Sequence, residues 1–484
     1  MAGPDAIRAA AIRLALAGAL EYGLQVVAPA VLVRYLDAHT FGQYRLLWLM
    51  AVTAIAIAPC FVPQSLFYFL PRATTSQARS VLLGNSLLFL VLSGLLVALV
   101  TSAWNPVMPQ AVRMLFTASS GLSAMFLWTW VVAAMFDVLP TADGRARWQA
   151  STTALLAVVR TMLLCAAAML SADLYWVIAA LLAVAAGKVL SMGWYLRAHL
   201  GGGGLQFERA AFLGQLQYAL PFALGNALFL LRLQSDQWVV ATIMPTALFA
   251  AFSIATVFQP IATLVRQPVL NAAMAPMSAA FAAGRLDEMR ALVARTSSNS
   301  AFFLLPVAAG LFVIAPEVVT IVYTNAYQHT TPVMRVYLVG MMISALATGH
   351  LMPVIGKGWF ATLNNSLCLA GSVAISIFGA RLFGLPGAAL GSVLALLVSE
   401  SWAAWMAART LQTGIVDLLG MRSLTPVLAA SGAAMLAASA GATLFSAAAV
   451  PTLAFKCVVF SLTWLAVLLA LGQRARLVAL VRRH

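Results

Sequence analysis

The chain has 484 residues, 63% of them hydrophobic and only 8% charged, with a net charge of +15. Soluble domains carry roughly 25% charged residues, so these few charges cannot cover a soluble fold of this size. The apolar runs are continuous over about twenty residues, as in Val81–Ser102, rather than alternating, which excludes a β-barrel and specifies membrane-spanning helices.

Fourteen spans are predicted, each with boundaries uncertain by several residues. The first six cover about 14–33, 46–69, 80–102, 112–136, 150–170 and 174–196. The next six cover about 215–240, 246–272, 298–316, 333–352, 360–382 and 386–408, and two more follow at about 425–446 and 453–472. The predicted fold is an all-α integral membrane protein. No loop is long enough for a soluble domain. The longest are 137–149, 197–214 and 278–297.

Charge gives the spans a direction. With a cytoplasmic N-terminus, most loop arginines, including Arg79, Arg145, Arg197, Arg285, Arg295 and Arg422, fall on the cytoplasmic side. Only Arg34, Arg45, Arg113, Arg335 and Arg381 fall on the other. This is the positive-inside pattern, and an even span count puts both termini in the cytoplasm. The positive charge therefore needs no nucleic-acid partner. Cys60, Cys165, Cys368 and Cys457 lie inside apolar runs without metal-ligand spacing and read as core residues. No metal or cofactor is expected. The run Gly201–Gly204 lacks the flanking residues of a phosphate-binding loop and reads as a linker. It separates two parallel blocks of six helices, giving lobes at 1–200 and 201–412 and a terminal helix pair at 413–484.

Charges inside a bilayer cost about 2.5–3.5 kcal/mol each on insertion scales, so they face a cavity or a partner. The deep charges are Glu21, Arg160, Lys188, Arg232, Asp236, Arg266 and Glu400. Lys456 lies at the outer end of the last span, where a lysine can snorkel. Arg232 and Asp236 are four apart on one helix face and form either a local ion pair or a ligand contact. Arg160 has no neighbour in its own span and needs another helix or a ligand. Glu21 is either the partner of Arg160 or Arg232, or a protonation site for ion coupling. Glu400 is equally open. Pro59 and Pro63 in the second span, and Pro260 and Pro268 in the eighth, should interrupt those helices and allow bending. Asn364 and Asn365 could bind sugar hydroxyls or join helices. Trp48, Trp104, Trp148 and Trp176 lie near span ends and read as interfacial anchors.

Several short motifs recur in order. Arg34-Tyr35-Leu36 is followed by Phe41-Gly42-Gln43-Tyr44 and Phe69-Leu70-Pro71-Arg72. Leu220-Pro221-Phe222 opens the span holding Asp236. Phe249-Ala250-Ala251-Phe252, Gly284-Arg285-Leu286-Asp287-Glu288, Ala315-Pro316-Glu317 and Gly384-Leu385-Pro386-Gly387 follow. Over roughly residues 10–410 this order resembles the polysaccharide flippases, the O-antigen and exopolysaccharide repeat-unit translocases. These belong to the multidrug/oligosaccharidyl-lipid/polysaccharide exporter superfamily. One departure is Gln237 after Asp236, where many members carry a basic residue.

The resemblance implies two six-helix lobes around a central cavity, plus two C-terminal helices. It implies movement of an undecaprenyl-pyrophosphate-linked oligosaccharide between leaflets of the bacterial inner membrane by alternating access. Arg160, Arg232, Asp236, Arg266, Arg34 and Arg72 are then the candidate substrate-binding residues, since arginine can grip phosphate through paired hydrogen bonds. Glu21 and Glu400 are the candidates for ion coupling. The partners expected are the lipid-linked oligosaccharide, membrane lipids, and a glycan polymerase with its chain-length regulator. Surface lipopolysaccharide or exopolysaccharide would be the product. A small-molecule cation exporter would need a mainly acidic cavity, against the basic bias here. A membrane-embedded glycan polymerase would need a catalytic acid or base in a sizeable outer loop, and the outer loops are short. A lipid-linked peptidoglycan precursor flippase is the nearest rival.

Overall fold

The structure is a computed structural model, and the residues it describes are 4–102, 105, 108, 112–113, 119, 121–199, 204–444 and 448–473. Most of the 112–120 part of the fourth span, Trp104, Gly201–Gly203 of the glycine run and the arginines beyond 473 lie outside them. The described residues are overwhelmingly helical. The chain divides into two compact units, Met1–Ala250 and Ala251–His484.

In the first unit the helices are α1 (Pro4–Tyr35), α2 (Ala38–Ile57), α3 (Val62–Phe69), α4 (Ser76–Val100), α5 (Leu122–Val132), α6 (Ala146–Ser171), α7 (Leu174–His199) and α8 (Arg209–Ile243). Helices α1 and α6 pack along much of their length. Both are rich in alanine, which lets two backbones approach closely where lipid supplies no hydrophobic drive. The second span is interrupted at Pro59, as expected. Cys60 and Phe61 take left-handed backbone angles (φ 45° and 61°), and α3 restarts with Pro63 in its first turn. Helix α8 packs on α2, α3 and α4. The contact division at 250 and the sequence division at 200 therefore differ by this one long helix.

Helix α9 (Thr246–Ala255) runs across the division. The second unit then holds α10 (Gln259–Ala282), α11 (Leu286–Tyr323), α12 (Thr331–Ser344), α13 (Leu351–Val354), α14 (Gly358–Thr410), α15 (Ile415–Leu418), α16 (Met421–Leu444) and α17 (Ala449–Ala470). A 3₁₀ turn at Thr256–Phe258 precedes Pro260 and breaks the eighth span. The loop expected at 278–297 is almost entirely helical, because α10 and α11 run on beyond their apolar cores. Only residues 283–285 turn. The start of α11 is favoured by Asp287 and Glu288 in its first turn, which pair with Arg290 and Arg285 at 2.6 Å.

Among the described residues, twelve helices are long and apolar enough to cross a membrane. One of them, α14, contains two spans. At Gly384 the chain takes φ 64°, ψ −142°, a conformation open only to glycine. The two halves then fold back so closely that a Cβ on Gly379 or Gly387 would collide with the backbone of the other. The tenth span falls short because it is broken between α12 and α13. With both halves of α14 and this broken span, the total is the fourteen expected. Large apolar side chains stand exposed on these helices, including Leu170 at 87% and Leu436 at 73%, as a lipid-facing surface requires. The molecule is a multi-pass membrane protein.

Candidate functional site

In the first unit, Glu21 of α1 and Arg160 of α6 meet across the tight helix pair, with Nη1 3.4 Å from Oε1. Arg160 is 6% exposed, and its Nη2 is buried without a hydrogen-bond partner. Glu21 thus has Arg160 as a partner, as one of its readings expected. The Trp48 ring of α2 lies 5.4 Å from the guanidinium carbon. Trp48 packs on Trp130 of α5 at 5.6 Å, and the Lys188 ammonium of α7 sits 4.9 Å from the far ring. Lys188 pairs with Asp137 at 3.0 Å. A buried cation, Arg160, and a partly buried one, Lys188, thus bracket two indole rings, each cation with one carboxylate. Ring faces carry partial negative charge, which offsets the loss of water around a buried cation. Trp48 is therefore a packing residue of this row rather than an interfacial anchor.

Helix α8 brings Arg232 (3% exposed) and Asp236 (0%) to its buried face. The guanidinium carbon of Arg232 is 5.6 Å from the Phe229 ring, and the Asp236 carboxylate accepts the Gln237 backbone N–H at 2.7 Å. The rotation of α8 is set partly by Thr53 of α2. Its hydroxyl donates to Gln234 Oε1 at 2.7 Å and accepts from Trp238 Nε1 at 3.0 Å. Arg72 lies over the Tyr68 ring at 3.8 Å and donates to the Tyr68 carbonyl. Tyr68 stacks on Tyr218 at 4.7 Å, Tyr218 packs on Phe222 at 5.5 Å, and Phe222 stacks on Phe61 at 5.7 Å. This half-exposed aromatic row was not singled out in the sequence. The four-residue spacing of Tyr218 and Phe222 was its visible signal. Arg34 is exposed and donates to the Ala30 carbonyl of its own helix.

In the second unit, the break between α12 and α13 organises the polar groups. The Glu400 carboxylate accepts the backbone N–H groups of Thr348 and Gly349 at 2.7 and 3.0 Å. Arg266 Nη2 donates to the Ala347 carbonyl at 3.5 Å, so both charges address the same stretch of unwound backbone. Both ring nitrogens of His350 and the Thr348 hydroxyl are buried there without partners. Unwound backbone at membrane depth is tolerated only inside protein or beside a wet cavity. Asn364 donates to the Ser399 carbonyl and hydroxyl at 3.1 and 3.0 Å. It acts as glue between the two halves of α14. Lys456 does not snorkel. It is 8% exposed and pairs with Glu317 at 2.6 Å, joining α17 to α11, because the helix packing leaves it no route to water. No group of three or more metal-ligating side chains occurs among the described residues.

The chain matches the family described as polysaccharide biosynthesis protein over residues 31–332. It belongs to that family. No curated protein sequence matches it. Among solved structures, it is similar to the lipid II flippase MurJ in an inward closed conformation. Identity is 13%, the TM-score is 0.71, and the match covers 96% of this chain and 100% of that one. It is also similar to an inward-facing multidrug resistance MATE family transporter of the MOP superfamily. There identity is 16%, the TM-score is 0.62, and coverage is 81% and 96%. A MOP superfamily transporter from Pyrococcus furiosus, with a binding pocket of reversed polarity, is 14% identical with a TM-score of 0.58, covering 84% and 96%. The fold of this polysaccharide biosynthesis protein is thus that of MurJ- and MATE-type transporters, as the motif order implied.

Proposed function

We propose that the protein is a flippase. It carries an undecaprenyl-pyrophosphate-linked oligosaccharide repeat unit from the cytoplasmic to the outer leaflet of the bacterial inner membrane, for lipopolysaccharide or exopolysaccharide synthesis, by alternating access. The observation that carries this reading is Arg160. It is a permanently charged guanidinium held inside a membrane helix pair by one long contact to Glu21, with a buried Nη2 donor unused. A phosphate oxygen is the natural acceptor for such a donor. Arg232, Asp236, Arg266, Arg34 and Arg72 supply further substrate contacts, with Glu21 and Glu400 coupling transport to an ion. Residues 1–200 and 201–412 act as the two lobes, with 413–484 as an accessory helix pair. A polymerase and chain-length regulator take up the product. Four deep cations against three deep carboxylates, with Arg34 and Arg72 added at the span ends, do not make the mainly acidic lining that suits a cation exporter.

The test is polysaccharide export in cells carrying Arg160→Ala or Arg160→Lys in place of the native gene. Accumulation of repeat units on the cytoplasmic leaflet, at normal protein levels in the membrane, is expected for Arg160→Ala. Normal surface glycan in that strain would overturn the assignment. A second reading, a lipid-linked peptidoglycan precursor as cargo, is favoured by the near-complete overlap with the lipid II flippase fold. Accumulation of that precursor instead of glycan repeat units would select it.

A further inference from the structure

The turn between α14 and α16 is tied down against the start of α11. Arg290 donates to the carbonyls of Leu411 and Gln412 at 2.8 and 3.0 Å. Gly420, with φ 63°, lets the turn approach so closely that a Cβ there would lie 3.1 Å from the Ala294 Cβ. The hydroxyls of Ser423 and Ser298 are bonded at 3.1 Å. These fixed points frame a cavity of ≈ 480 Å³ lined by Arg295, Ser298, Asn299, Asp417, Arg422 and Ser423.

Arg295 and Arg422 approach this cavity from two different helices. Both are exposed, and neither has a side-chain hydrogen bond or ion pair among the described residues. Asp417 is the single carboxylate in the lining, so two guanidiniums leave a net positive site. Helix α16 begins at Met421 and runs for 24 residues, so its dipole adds positive potential at the same spot. Beside the arginines, Ile415 and Val416 of α15 stand 39% and 58% exposed. Apolar side chains next to unpaired arginines at the end of a membrane helix match a surface half in the headgroup layer and half in the acyl region.

We infer that this cavity is a binding site for the phosphate headgroup of an anionic phospholipid, gripped between Arg295 and Arg422. The amide of Asn299 supplies a further hydrogen bond, and the acyl chains run along Ile415 and Val416. The volume lies within the range of small-ligand pockets, about 300–1,000 Å³. It leaves room beyond the phosphate for a glycerol-sized group. Basic pockets between membrane helices are known to favour such headgroups.

The experiment is native mass spectrometry of the purified full chain in detergent, titrated with phosphatidylglycerol or phosphatidylcholine. The wild type is compared with Arg295→Gln/Arg422→Gln and with Asp417→Asn. At about 1 kcal/mol per arginine, phosphatidylglycerol retention should fall roughly tenfold or more in the double variant, with phosphatidylcholine unchanged. It should rise in Asp417→Asn, which removes the one repelling carboxylate and provides a second test should the double variant misfold. Thermal unfolding with inorganic phosphate, without lipid, distinguishes the source. Stabilisation of the wild type but not the double variant, with unchanged lipid retention, would reassign the site to a soluble phosphate and overturn the lipid. Equal phosphatidylglycerol retention in all three proteins, with no phosphate effect, would overturn the site altogether.

Discussion

Glu400 holds the backbone of Thr348, its Oε2 accepting the Thr348 N–H at 2.7 Å across 52 residues of sequence. The same oxygen takes the Gly349 N–H, so one carboxylate stands in for the helical carbonyls missing at the break between α12 and α13. Buried N–H groups left without acceptors cost about 1–3 kcal/mol each. Glu400→Ala should therefore lower the thermal unfolding temperature in detergent markedly, and Glu400→Gln should lower it less, because its amide oxygen still accepts. Equal stability of the two variants would remove this role.

The Arg160–Glu21 pair can be dissected by a double-mutant cycle. Breaking one side of a buried ion pair costs roughly 3–5 kcal/mol. Here the figure should fall toward the bottom of that range, because the one contact is long, at 3.4 Å. Glu21→Gln should destabilise the protein more than Glu21→Gln/Arg160→Gln does relative to Arg160→Gln alone. Thermal unfolding of the four proteins would show additivity if the pair were energetically idle.

Lys456 and Glu317 form an enclosed ion pair, with side chains 10% and 11% exposed. Lys456→Met should loosen α17 from α11, seen as a lower thermal unfolding temperature in detergent. Lys456→Met/Glu317→Leu should recover most of the loss, since a buried pair replaced by apolar groups is often neutral. An unfolding temperature of the double variant as low as that of the single would contradict this.

Asp37 caps α2, accepting the Thr40 N–H at 3.2 Å. Its carboxyl is held below the usual carboxylate range, chiefly by the side-chain hydrogen bond from Thr40, with burial opposing. A depressed folded pKa contributes stability above the unfolded value, about 3.9, and loses it as pH falls through the folded value. Asp37→Asn should be slightly less stable than the wild type at neutral pH. The gap should close below about pH 4 in unfolding curves measured across that range.

Much of the fold was legible because a twenty-residue apolar run is a strong signal and proline is an unambiguous interruption. Pro59 and Pro260 stand at real breaks, and Gly384-Leu385-Pro386-Gly387 marks a real reversal. The pairing of Glu21 with Arg160 was among the stated possibilities because few opposite charges share the membrane interior. Lys188 with Asp137, Lys456 with Glu317, and Glu400 with bare backbone were not foreseen. Each depends on the rotation of one helix against another, which hydropathy does not encode. Asp137 and Glu317 also sat at span ends, where solvent seemed a sufficient partner. The break after Ser344 carries no proline, so nothing in the apolar pattern announced it.

The pairing of a guanidinium with a carboxylate inside α1 and α6 also bears on the membrane potential. The guanidinium and the carboxylate cancel in net charge, and Glu21→Gln would leave the pair at +1. A unit charge crossing the full field is worth about 2.3 kcal/mol per 100 mV. Any displacement of this helix pair along the membrane normal would therefore be insensitive to voltage with the pair intact and driven by it in the Glu21→Gln variant.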